Sequence, residues 1–414
     1  MMKCKMYFVW AFLAIVFIMP IGKVFAQTND ELTNVSAIKV GAESTEMYID
    51  WLRGERVGVI ANQASLIGET HLVDSLISLG VSVRAIYCPE HGFRGDAEAG
   101  AIIKSSIDKK TSLPIISLYG NNKKPRQNEF KNNTVVVFDL QDVGTRFYTY
   151  ISTLHYVMEA CAENNIHLIV LDRPNPNASY IDGAVLKDVS LVSFVGMHPV
   201  PIVYGMTIGE YAKMINGEYW LGTSKNRVIG EKGNLRCDLT IIPIKYYNHS
   251  MDYELPIAPS PNLKTPLSIL CYPSLCFFEG TPVSVGRGTD SPFEIVGYPE
   301  YNDTSFSFTP KVIKGVSDNP PYKNIKCYGE SDMVIENCIK SKAKGEMSLS
   351  VLIRMYNAYP NKDKFFQNFF DKLSGNKDLK LQVRKGMQEK EIRKTWEKDI
   401  EDFKQIRKKY LIYD

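Results

Sequence analysis

Val135-Val-Val-Phe-Asp139-Leu-Gln-Asp142-Val-Gly-Thr-Arg146-Phe-Tyr-Thr-Tyr150 is the stretch whose reading decides the fold. Four apolar residues, β-branched or aromatic, stop at Asp139, and Phe147, Ile151, Leu154 and Met158 then recur at helical spacing. This pattern predicts a buried strand running into a helix. Asp139, Gln141, Asp142 and Arg146 crowd the crossover, which in an open α/β sheet is where ligands bind. A second reading has the acids cap the helix and Arg146 pair with one of them.

The same unit recurs on both sides. Val57 to Ile60, Val83 to Tyr87, Pro114 to Leu118 and His167 to Leu171 are apolar runs of strand length, and His71 to Leu79 reads as a helix. Strands alternating with helical patterns predict an α/β domain with a largely parallel sheet. In such a sheet the strand tails share one edge, so Glu90, Asp142, Arg146, Asp172 and Asn175 can converge although the chain separates them. No Gly-x-Gly-x-x-Gly follows a first strand and no phosphate loop occurs, so no nucleotide cofactor is expected.

Beyond Gly183 the texture changes. Pro199 to Val203 is a strand candidate, and Thr207-Ile-Gly-Glu210 is a capping box ahead of a helix to about Asn216. The sheet resumes at Ile241 to Ile244. Pro256-Ile-Ala-Pro259-Ser-Pro261-Asn262 reads as a rigid crossing into a second domain. There the cluster Glu279-Gly-Thr-Pro-Val-Ser-Val-Gly286-Arg287-Gly288-Thr289 is expected to bend tightly around Arg287. Leu349 to Tyr356, Lys364 to Leu373 and Glu389 to Tyr410 read as helices.

Residues 1–26 resemble a signal peptide: Lys3 and Lys5 precede an apolar run from Met6 to Met19, and Val24-Phe-Ala26 suits a cleavage site. The expected division is therefore 1–26 leader, 27–255 sheet domain and 256–414 smaller α/β domain. Removing Lys3, Lys5 and Lys23 takes the formal charge of +3 to zero, which gives no reason to expect nucleic acid. Seven cysteines remain, irregularly spaced, and do not form a disulfide framework. The chain is expected to be exported, to the periplasm or outer cell envelope, without stable membrane insertion.

Glu90 lies between Pro89 and His91 with Tyr87 and Phe93 nearby, a setting in which desolvation would let a carboxyl hold a proton for a leaving group. Asp139, Asp142, Asp172 and Glu279 are candidate partner carboxylates, and Arg146 or Arg287 could grip an anionic substrate. Together they fit hydrolysis of an acidic sugar glycoside. His91 with Asp139, Asp142 and Asp172 is a weaker metal candidate because no compact ligand pair such as His-Glu-x-x-His occurs. Cys88 or Ser152 with a nearby histidine is a weaker acyl-transfer candidate, since no Gly-x-Ser-x-Gly occurs.

Six ordered segments carry a resemblance: Pro89-Glu-His-Gly-Phe-Arg-Gly95, Phe138 to Tyr150, Asp172-Arg-Pro-Asn-Pro176, Gly205-Met-Thr-Ile-Gly-Glu210, Pro259-Ser-Pro-Asn262 and Glu279 to Thr289. From about Val57 onward the chain resembles the bacterial exo-β-N-acetylmuramidase family. That resemblance implies a Rossmann-like N-terminal domain and a smaller C-terminal domain enclosing a cleft, with no cofactor or metal, and peptidoglycan-derived sugar fragments as substrate. It also implies Glu90 as catalytic acid and substrate-site environments at Asp142, Arg146, Asp172 and Arg287. The second catalytic group is expected to be Asp142, or else the substrate's N-acetyl group acts as internal nucleophile with a carboxylate orienting it. His91, Arg94, Asp139, Arg173, Asn175, Asn262 and Glu279 are further expected around the substrate. Two departures stand out, Val203-Tyr204 where the family usually has Arg-His and Val285 where it usually has Glu. They keep open a rival reading, a periplasmic muropeptide-binding protein without turnover.

Overall fold

The computed structural model describes residues 38–90, 92–94, 106–222 and 233–414. Among the described residues twelve strands run in chain order: β1 Val57–Ala61, the hairpin β2 Leu66–Ile67 and β3 Thr70–His71, β4 Val83–Cys88, β5 Ser106–Ile107, β6 Pro114–Ser117, β7 Val135–Asp139, β8 His167–Leu171, β9 Leu239–Ile242, β10 Val296–Tyr298, β11 Ser307–Phe308 and β12 Cys327–Glu330. Seven form one sheet in the order β5-β6-β4-β1-β7-β8-β9. Every neighbour pair in it is parallel except β5 with β6. The largely parallel α/β sheet expected from the sequence is the one observed, with a smaller α/β region after it built on the antiparallel sheet β10-β12-β11.

Side-chain alternation explains why the central strands read as unbroken apolar runs. Val136 and Phe138 of β7 enter the core on one face, while Val135 and Val137 enter the core on the other. Leu168 and Val170 of β8 oppose Ile169 and Leu171 in the same way. A parallel sheet covered on both faces requires this. The helix Tyr150–Asn164 covers one face, and the core on that face continues through Leu263, Phe277 and Leu352 as far as Phe403. Within 38–414 the chain forms one compact unit.

Several expected elements differ in extent. The helix after β7 starts at Tyr150, so Phe147 packs ahead of it in the turn. Pro199 to Val203 is not a strand: only Val203 bridges, to Thr145 and Asp182, since the two prolines remove ladder donors. The helices expected over 364–373 and 389–410 are each broken in two, the latter between Lys394 and Glu397. Thr207 and Glu210 form the expected capping box. All seven described cysteines are buried free thiols. No described helix is long and apolar enough to cross a membrane.

Candidate active site

A cleft of about 590 Å³ opens at the carboxyl edge of the sheet. Neighbouring strand tails supply one side: Glu90 beyond β4, Tyr119 beyond β6, and Tyr148 and Tyr150 beyond β7. Beyond β1, Asn62 donates to the Tyr150 hydroxyl at 2.8 Å and steadies it from behind. The proline-rich crossing closes over the same edge, where the Pro259 carbonyl accepts from Tyr148 at 2.7 Å. Glu279 and Arg287 of the smaller region line the same cleft. An edge-to-face aromatic chain joins the two sides, from Tyr150 through Tyr148 and Tyr272 to Phe293, over which the Arg287 guanidinium lies 5.3 Å from the ring centre.

The acidic end is compact. The Tyr119 hydroxyl hydrogen-bonds to Glu90 and also feels the charges of Arg287 and Glu279. Burial, followed by the charge of Glu90, raises the Tyr119 phenol above its usual value. Burial does the same at Tyr150, so both remain protonated donors. Arg287 donates through Nε at 2.8 Å, and through Nη2, to Oε1 of Glu279. Burial opposes its charge, but that carboxylate outweighs the cost and raises its pKa. Gly286 and Gly288 flank it at φ +77° and +83°, where a side chain would be strained, so the expected tight bend is present. Among the described residues, no three His, Cys, Asp or Glu side chains gather as a metal site would need.

Glu90, Asn262, Glu279 and Arg287 are thus the expected residues that the structure brings together. His91 lies outside the described residues. Asp142 is buried and off the cleft surface: its Oδ2 accepts from Tyr204 and from the Gly144 amide at 2.8 Å, and its Oδ1 has no partner. Burial pushes it up to about 6, and its charge still reaches the phenols of Tyr148 and Tyr150. It supports the cleft from beneath.

The remaining expected residues serve the fold. Arg146 is fully buried, its guanidinium donating to the carbonyls of Ala184, Val200 and Leu373 at 2.7, 2.8 and 3.1 Å. With no carboxylate beside it, burial pulls its pKa down to about 10. Asp139 and Arg173 form a buried bidentate pair. Asp172 accepts from Thr207 and Tyr413, both at 2.7 Å, and from the Gly209 amide at 2.8 Å. Asn175 donates to Met206, and Arg94 pairs with Asp74 and Asp108. Asp139, Arg146, Asp172, Arg173 and Asn175 are buried, whereas Arg94 stays partly exposed. Of the two departures, Tyr204 is buried against Asp142 and Val285 is buried in the core.

Sequence reasoning missed Lys372 and the segment Ser193-Phe194-Val195, all of which line the cleft. Ser193-Phe194-Val195 lies in irregular chain and Lys372 in the short helix Phe370–Ser374, whose spacing speaks only for packing, so no local signal marks them for the cleft. Tyr119 and Lys123, in the loop after β6, line the cleft as well.

Comparison with known proteins agrees with this architecture. A family model for the N-terminal part of the exo-β-N-acetylmuramidase NamZ matches residues 57–267, and one for its C-terminal part matches 270–413. The peptidoglycan β-N-acetylmuramidase NamZ of Bacillus subtilis is 38% identical over 386 residues, covering 88% of this chain and 89% of that protein. Two crystal structures of DUF1343 family proteins from Bacteroides fragilis superpose well. One has a TM-score of 0.81 at 41% identity and covers 92% of this chain and 99% of its own. The other has a TM-score of 0.75 at 30% identity and covers 91% and 99%. With both halves of the described chain matched in order, the chain belongs to the NamZ family of exo-β-N-acetylmuramidases.

Proposed function

We propose that the chain releases N-acetylmuramic acid from the non-reducing ends of peptidoglycan fragments, with Glu90 as general acid. The supporting observation is the position of the Glu90 carboxyl in the cleft, hydrogen-bonded by a neutral Tyr119 phenol and sharing that end with Glu279 and Arg287. Glu90 gives its proton to the glycosidic oxygen as the bond from that oxygen to the anomeric carbon breaks. Water then adds to the anomeric carbon, and its proton returns to Glu90. Asp142, beneath the tyrosines, does not reach the sugar. In this reading Glu279, which lines the same cleft, orients the substrate's acetamido group, whose oxygen shields the anomeric carbon from within the substrate.

Export is part of the same reading. The short apolar run Met6 to Met19 and the small residues of Val24-Phe-Ala26 support delivery to the envelope, where such fragments arise.

A muropeptide-binding protein without turnover is the second reading, favoured by Tyr204 and Val285. Incubating purified protein with a muramic-acid-terminated disaccharide and following products by mass spectrometry separates the two. Free N-acetylmuramic acid is expected, while binding without any released sugar would favour the second reading.

A further inference from the structure

A substrate carrying a lactyl carboxylate needs a cation to recognise it, and the two arginines the sequence singled out are otherwise engaged. Arg146 is fully buried against carbonyl oxygens, and Arg287 is tied to Glu279. Two other cations line the cleft, Lys123 and Lys372. Neither is ion-paired to a carboxylate among the described residues. The ammonium of Lys123 lies 4.6 Å from the centre of the Phe194 ring, and Phe194 in turn stacks on Tyr156, their centres 6.2 Å apart and planes inclined 15°. Lys372 lies on the other flank of the same segment: a Cβ added at Gly196 would sit 3.6 Å from the Lys372 carbonyl. Ser193 of that segment also lines the cleft, and its buried hydroxyl has no hydrogen-bond partner.

We propose that Lys123 and Lys372 form the carboxylate-recognising rim of the cleft and set its preference for muramic over glucosamine sugars. The inference rests on the function proposed above, but it concerns binding rather than turnover. The two sugars differ only by the lactyl ether, so a site that tells them apart must read either its charge or its bulk. Ammonium groups without a carboxylate partner read charge, since each supplies a donor that neutral N-acetylglucosamine cannot use as well. Stacking through Phe194 and Tyr156 restrains Lys123, which lowers the ordering cost of engaging a ligand.

Calorimetric titration of the full chain with N-acetylmuramic acid and with N-acetylglucosamine tests this directly. Wild type is expected to favour the muramic sugar by about tenfold or more. In Lys123→Ala/Lys372→Ala that ratio is expected to fall towards one, with Lys123→Arg retaining most of it. Circular dichroism of each variant checks folding, and because both lysines are partly exposed, substitution should not disturb the core. Raising the salt concentration should erode the wild-type ratio and not that of the double variant. A wild type that does not distinguish the sugars, or a double variant that keeps the preference, would overturn the proposal. Absence of released sugar in the product assay would instead count against the enzymatic reading and leave this measurement decisive for the rim.

Discussion

Charges buried at the strand tails show how the same residue types take different roles. Asp139 is fully buried and bound to Arg173 through two bonds, and Arg173 also donates to the Leu66 carbonyl at 3.1 Å. Removing one member of such a pair leaves an uncompensated buried charge, at a cost of about 3–5 kcal/mol. Arg173→Ala should therefore lower the urea midpoint by that equivalent, and the sugar preference of whatever protein remains folded should not change. A lost preference with normal stability would return Arg173 to the substrate site. The sequence showed that Asp139, Asp172 and Arg173 lie at strand tails, which is correct. It did not show that they are covered, because the covering partners are remote: Tyr413 reaches Asp172 across 241 residues. Glu90 and Tyr119 lie at the tails of β4 and β6, away from that cover, and so face the cleft.

Elements were readable where periodicity was strong and misread where a side chain interrupts it. The parallel strands and the Thr207 cap follow from local rules, whereas the single helix expected over Glu389 to Tyr410 breaks at Thr395 and Trp396. Asp172 ties β8 to the start of the helix Ile208–Gly217, accepting both from its cap residue Thr207 and from the Gly209 amide. Burial, then repulsion from Glu210, pushes its pKa up to about 7. A carboxyl raised on folding stabilises the native state most when protonated, so this contribution is present below the unfolded value near 4 and is lost as pH rises towards 7. Asp142, raised to about 6, acts in the same direction over a narrower window. Asp172→Asn cannot ionise, and its stability relative to wild type should rise as pH goes from 4 to 8. Chemical denaturation across that range checks it, and a pH-independent difference would mean that Asp172 is ionised throughout.

At the scale of the whole molecule, the cleft exists because one core runs through both halves of the described chain. The face of the sheet covered by the helix Tyr150–Asn164 shares its core with Phe277, Phe278 and Phe370. That continuity brings Glu279 and Arg287 to the same cleft as Glu90, and the aromatic chain from Tyr150 to Phe293 spans the space between them. The parallel topology led to the expectation that Glu90 lies at the sheet's carboxyl edge, and the family resemblance to that of a smaller domain enclosing the cleft. The rim at 193–195 and Lys372 became visible only with the tertiary structure. The central claim is that Glu90 protonates the departing sugar oxygen, and the most direct measurement compares Glu90→Gln with wild type on a natural muramic disaccharide and on an aryl glycoside whose phenolate leaves without help. Turnover of the disaccharide should fall by about two to four orders of magnitude with binding nearly intact, and the aryl substrate should lose far less. A Glu90→Gln protein that cleaves the disaccharide within a few-fold of wild type, or that loses both substrates equally while folded, would contradict the assignment.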